Sequence, residues 1–105
     1  MEIVVLAVPD CPNETLAADR LRQALDEEGR REVGFTVRVI AEQAEAERIG
    51  FTGSPTIWIG GRDPFAEAGR APGLACRVYR TPDALAGAPE LGELRQALRA
   101  GASRG

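Results

Sequence analysis

The apolar positions of this chain change period several times, and each change marks an element. Ile3 to Val8 is apolar at every position, so it reads as a central strand buried on both faces. Pro9-Asp10-Cys11-Pro12-Asn13-Glu14 follows as a helix-start signal. Pro12 suits the first helical position, where its missing N–H would be unpaired in any case. That register puts Cys11 at the N-cap and Glu14 at the third helical position, as in a capping box. Ala17, Ala18, Leu21, Ala24 and Leu25 then form one apolar stripe at helical spacing, with Asp19, Arg22, Gln23 and Asp26 off it. Leu16 falls outside the stripe. Gly29 stops the helix.

Val33, Phe35, Val37 and Val39 alternate with other residues at strand period and predict a second strand with one more polar face. Glu42 to Ile49 predicts a short helix stopped by Gly50, with Phe51 folding back on it. Thr56 to Ile59 is a third strand, closed by Gly60-Gly61. Residues 62–75 contain Pro64, Gly69, Pro72 and Gly73 and read as a long loop. Cys76 to Arg80 alternates and reads as a fourth strand. Pro89 opens a last helix whose stripe is Leu91, Leu94, Ala97 and Leu98, and residues 101–105 read as a flexible tail. The order β-α-β-α-β-β-α predicts an α/β fold with a mixed four-stranded sheet flanked by helices. The first two strands should be parallel, joined by a right-handed crossover through the first helix.

Composition narrows the chemistry. A chain of 105 residues suits one domain, here residues 1–100, and its 44% hydrophobic and 28% charged residues are an ordinary globular profile. The net charge is −3, all thirteen basic residues are arginine, and no basic run stands out. A nucleic-acid surface is therefore not expected. The six-residue apolar run at the start is too short to span a membrane, and no basic region precedes it. A cytoplasmic location with reduced thiols is the expectation. No histidine is present, which removes the usual general base near neutral pH and with it Ser-His-Asp and Cys-His catalysis. Two cysteines without histidine do not make the usual four-ligand zinc site. Neither a metal nor a cofactor is expected.

Three features carry a family resemblance: the element order, the Cys11-Pro12-Asn13-Glu14 turn between the first strand and first helix, and Gly50-Phe51-Thr52-Gly53-Ser54-Pro55-Thr56 leading into an apolar strand. Over about residues 2–100 the chain resembles the thioredoxin-like superfamily, with 62–75 as an insertion. The resemblance implies that Cys11 is the nucleophilic cysteine and Pro55 the cis-proline. Pro55 would set the backbone of Ser54 opposite Cys11, where a partner chain pairs in extended form. Pro12, Ser54, Pro55 and Phe65 are then the candidate substrate-binding residues. Glu14 stands where a dithiol member has its second cysteine, so exchange within a C-x-x-C motif is not available. The segment Arg62-Asp63-Pro64-Phe65 is similar to one in a group of small bacterial thioredoxin-fold proteins, some labelled alkylmercury lyases.

Read from the residues, Cys11 is either a reactive thiol or a small capping residue. Unpaired N–H groups at a helix start favour a thiolate there, whereas the Asp10 and Glu14 carboxylates oppose it. A moderately reactive thiol is expected. Cys76 is either an unreactive strand cysteine or the resolving partner, the second catalytic candidate. A simple hairpin would carry it away from Cys11, whereas loop 62–75 is long enough to bring it back. Trp58 and Tyr79 are expected to fill core or sheet surface. Phe65 either anchors its loop or covers Cys11 as a lid, and Arg62 and Asp63 are expected to be solvated. The leading expectation is thiol–disulfide chemistry at Cys11 with a protein or small-molecule thiol or disulfide as partner. The alternatives are a non-catalytic interaction module on the same fold, and organomercury or soft-metal handling by Cys11 and Cys76 together.

Overall fold

The computed structural model describes residues 1–82 and 84–103. Its elements run β1 (Ile3–Ala7), α1 (Glu14–Glu27), β2 (Thr36–Val39), α2 (Gln43–Ile49), β3 (Thr56–Ile59), β4 (Tyr79–Arg80), β5 (Leu85–Ala86) and α3 (Leu91–Ser103). β1 is central: it pairs with β2 in parallel, Val5 opposite Val37, and with β3 antiparallel, Val5 opposite Ile57. The alternation of β1 side chains divides the interior in two. Ile3 and Val5 point to one face, where Ala17, Leu21, Ala24 and Leu25 of α1 meet Leu94 and Leu98 of α3 around Ile57 and Ile59. Val4 and Leu6 point to the other, against Ile40, Ala46 and Phe51. The result is an α/β sandwich with α1 and α3 on one side of the sheet and α2 on the other.

Most of each expected stripe is buried, with Ala18, Leu91 and Ala97 only partly so, because each helix covers only one face of the sheet. Leu16, off the stripe, is exposed. α2 ends as its sequence suggests: Gly50 takes a left-handed conformation (φ 75°), and the Phe51 N–H returns to the Ala46 carbonyl at 2.9 Å. Ordinary side chains are disfavoured at that φ, and glycine is not.

Four expectations change. The second strand begins at Thr36 rather than at Val33, and its Val37 and Val39 are exposed. The sheet has three strands in the order β2-β1-β3, and β4 and β5 form a separate two-stranded sheet. The reason is the path of loop 62–75. It carries the chain back to the Pro55 end, so Cys76 runs alongside Ser54 in parallel instead of forming a hairpin partner for β3. Helix α1 begins at Glu14, with Asn13 in the cap position and no side-chain cap. Two turns come first, since the Cys11 N–H donates to the Val8 carbonyl and the Glu14 N–H to the Cys11 carbonyl, both at 3.3 Å. Asn13 lies instead against Gly87, where an added Cβ would sit 2.3 Å from its amide nitrogen. Finally, α3 continues through Gly101 to Ser103, where the sequence suggests a tail. A Cβ at Gly101 would sit 2.8 Å from Ile59 Cγ2, so glycine lets the helix lie directly on β3. Arg104 and Gly105, the rest of the expected tail, lie outside the described residues.

α1 and α3 are also tied by charge. Arg95 and Arg99 of α3 donate to the Glu28 carboxylate at 2.8 and 2.9 Å. Those two hydrogen bonds hold the Glu28 carboxyl below the usual glutamate range. A carboxyl depressed in the folded state stabilises the fold at neutral pH and loses that contribution as acid protonates it. Glu28→Gln is therefore expected to lower Tm at pH 7 and to match the parent once the pH falls below the folded carboxyl's titration. Thermal melts across the acid range check this, and a Tm difference that grows on acidification contradicts it.

Candidate functional site

Cys11, Ser54-Pro55 and Cys76 lie at one end of the sheet, the end where β1 finishes and β3 begins. The β1–β3 register, extended beyond Leu6 opposite Thr56, brings Ser54 level with Val8. There the Val8 N–H donates to Ser54 Oγ at 3.0 Å. Val8 in turn accepts from the Cys11 N–H, so Cys11 is hydrogen-bonded to a residue that Ser54 holds. Asp10 has a positive φ of 58°, which bends the chain at this point. Cys11 is half-buried with a free thiol, and Pro12 beside it is exposed. Because α1 starts at Glu14, the sulfur is carried by a turn ahead of the helix.

The Ser54–Pro55 peptide bond is cis, the geometry the resemblance implies. Both residues are fully buried. The main-chain edge expected to receive a partner chain is filled by the protein itself. The Ser54 N–H donates to the Ala75 carbonyl and the Arg77 N–H to the Ser54 carbonyl, each at 2.9 Å. Between those two lies Cys76, whose thiol is free and exposed. Loop 62–75 thus returns Cys76 to the Cys11 end of the sheet.

What holds this segment is a buried polar cluster. Arg77 is 2% exposed. Its guanidinium donates to Asp63 Oδ2 at 2.6 Å, to the Phe65 carbonyl at 2.6 Å and to Thr56 Oγ1 at 3.2 Å. It also lies over the Tyr79 ring, 4.6 Å from its centre. Thr56 Oγ1 passes its own proton to the Gly53 carbonyl at 2.6 Å, and the Tyr79 hydroxyl donates to the Pro55 carbonyl. Burial raises the Tyr79 hydroxyl far above the ordinary phenol range, against the opposing pull of Arg77, so it remains a donor at any working pH. Every residue from Gly53 to Thr56 is therefore bonded to the 75–79 segment or to a group that segment holds.

Asp63 is half-buried and paired, contrary to the expectation of a solvated residue; Arg62 is exposed as expected. The Asp63 carboxylate also accepts from the Phe65 N–H at 2.9 Å, an Asx turn that orders Asp63-Pro64-Phe65. Phe65 packs on the α1/α3 core and meets Tyr79 edge to face, with centroids 5.7 Å apart. It is the anchor of its loop. A surface cavity of about 480 Å³ lies between α3 and the Arg62–Phe65 segment, lined by Arg62, Glu93 and Gln96 among others. That is the end of the sheet away from Cys11, because Ile59 pairs with Ile3 at the start of β1.

Arg77, Asp63, Thr56 and Tyr79 shape the site without standing out in the sequence. Two signals point to them: an Asp-Pro step inside a glycine-rich loop, and an arginine occupying one side of an alternating run. No family model, curated protein or solved structure matches the chain. Among the described residues, no helix is long and apolar enough to cross a membrane.

Proposed function

We propose that the protein carries out thiol–disulfide exchange with Cys11 as its nucleophile, on a thioredoxin-like arrangement of strand, turn and helix. The observation that carries the proposal is the placement of Cys11: a free, reachable thiol in a turn braced through Val8 to Ser54. A braced and accessible sulfur meets the two requirements of exchange, a fixed trajectory and access for a disulfide. Asp10 and Glu14 flank it with carboxylates, which suits partners that are neutral or basic around the reacting sulfur. The partner is a protein or small-molecule disulfide or thiol.

The test is a disulfide-reduction assay on a generic protein disulfide, with a small dithiol to recycle the enzyme. Cys11→Ser is expected to reduce the rate to that of the dithiol alone. Equal rates for parent and variant refute the proposal. A second reading draws on the filled edge at Ser54: a non-catalytic module that keeps this fold for binding. It predicts a partner complex that survives Cys11→Ser.

A further inference from the structure

We infer that Cys76 is the built-in second thiol of the site, the one that resolves a mixed disulfide formed on Cys11. The inference rests on the reading of Cys11 as nucleophile and adds the identity of the group that completes its cycle. Ser54 is the pivot. On one side its hydroxyl holds Val8, to which Cys11 is hydrogen-bonded; on the other its main chain holds Ala75 and Arg77, the two neighbours of Cys76. Ladder spacing is roughly 4.8 Å, so Val8 and Cys76, on opposite sides of Ser54, stand about two such spacings apart. The two cysteines of the chain therefore flank a single buried residue, although they stand 65 positions apart in sequence (76 less 11).

The alternation of the segment presents the second sulfur. Arg77 and Tyr79 point inward and are buried, so Cys76 and Val78 point outward and are exposed. A cysteine serving only as filler would occupy an inward position. The arginine that takes that position is bonded to Asp63, Thr56 and the Phe65 carbonyl, which fixes the segment carrying the thiol. An extended chain from another molecule cannot pair with Ser54 while residues 75–77 are there. The cysteine in that place is the protein's own.

The chemistry balances with a disulfide as oxidant. The Cys11 thiolate bonds to one sulfur of the disulfide, the partner's S–S bond breaks, and the departing thiolate takes a proton from solvent. Cys76 then gives its proton to solvent and attacks Cys11 Sγ, and the second partner thiol leaves and is protonated. In sum the two cysteines lose two electrons and two protons, and the disulfide becomes two thiols. Closing the bond requires the two Cα atoms to come within about 7 Å. The part that gives is the Pro9–Asn13 turn, since residues 75–77 are pinned.

The experiment treats the full reduced chain with glutathione disulfide, quenches in acid and maps unreduced peptides by mass spectrometry. The expected product is a monomer lighter by two hydrogens, with the Cys11 and Cys76 peptides linked. Cys76→Ser, altered only at an exposed side chain and checked for folding by circular dichroism, is expected to stop at a glutathione adduct on Cys11. That adduct should persist at least about tenfold longer than in the parent. A parent that accumulates the Cys11 adduct while Cys76 stays free overturns the inference and leaves Cys11 as a nucleophile resolved from outside. A parent whose Cys11 ends neither bound to glutathione nor linked to Cys76 overturns the reading beneath it as well.

Discussion

Replacing Asp63 with alanine is expected to lower the free energy of unfolding by about 3 kcal/mol, the low end of the range for breaking a buried ion pair by removing one partner. The Arg77 side chain is 1% exposed and that of Asp63 is 15% exposed. Removing the carboxylate leaves a guanidinium out of water with two neutral acceptors, the Phe65 carbonyl and Thr56 Oγ1, and an aromatic face. None of these offsets the desolvation of a full charge. Partial exposure at Asp63 admits some water, which is why the low end applies. A loss of this size is a large share of the ~5–15 kcal/mol available to a domain. Urea unfolding at neutral pH measures it. The double variant Asp63→Ala/Arg77→Met should recover much of the loss, because no unpaired charge then remains. A single variant within about 0.5 kcal/mol of the parent, as for an ordinary surface change, contradicts this account of the cluster.

The same cluster marks where the sequence stops being readable. β1, α1, α2 and β3 are legible because each buries a local pattern: a run apolar on both faces, a stripe at helical spacing, a glycine stop and a second short apolar run. Burial needs only an element and the sheet it packs on, so local periodicity is enough. Residues 62–80 obey other rules. Their order comes from Arg77 meeting Asp63, fourteen residues earlier, and Tyr79 meeting Pro55, twenty-four residues earlier. Neither pairing leaves a trace in apolar periodicity. The run Cys76 to Arg80 does show the in-and-out alternation of an extended segment. Its inward side is Arg77 and Tyr79, however, and its outward side includes Cys76 and Val78. Tyr79 is inward as its type suggests, but nothing in apolar periodicity puts an arginine on the inward side and a valine on the outward one. The start of α1 is a similar case. Cys11-Pro12-Asn13-Glu14 has the residue types of a cap, but the bend at Asp10 and the seat of Asn13 against Gly87 shift the helix onset to Glu14.

The site was legible to a different extent for each residue. Cys11 and Ser54-Pro55 could be placed together only by the family resemblance; the antiparallel pairing of β1 and β3 is what makes the two ends coincide. Phe65 could be named but not assigned between lid and anchor. Its ring packing and the turn made by Asp63 decide for anchor. Cys76 turned on the route of one loop, and that route is fixed by the buried arginine.

Gly53 is the position where stability and chemistry can be read in one variant. Its φ of 130° is one that L side chains rarely adopt. A Cβ there would stand 3.0 Å from Arg77 Cβ, 3.2 Å from the Ala75 carbonyl oxygen and 3.3 Å from Arg77 Cα. These are backbone atoms or atoms fixed to backbone, so no flexible side-chain end can swing aside. Gly53→Ala must either turn the main chain ahead of Ser54 or lift residues 75–77 from it. An unfavourable backbone conformation costs on the order of 1–3 kcal/mol, and the contact with Arg77 adds to it. A total loss of about 2–4 kcal/mol in unfolding free energy is expected, which is large for a single methyl group. Lifting has a further consequence that simple destabilisation does not. The Ser54 and Arg77 amides, which close the pairing around Cys76, should exchange with deuterium faster than before. In the same variant the amides of the β1–β2 ladder should accelerate only as far as the global loss dictates. Oxidation by glutathione disulfide should shift from the internal disulfide toward the Cys11 adduct, because the second sulfur is no longer held beside Ser54. Uniform acceleration of every amide, with the oxidation products unchanged, contradicts the role given to the 75–77 segment as the mount of the second thiol.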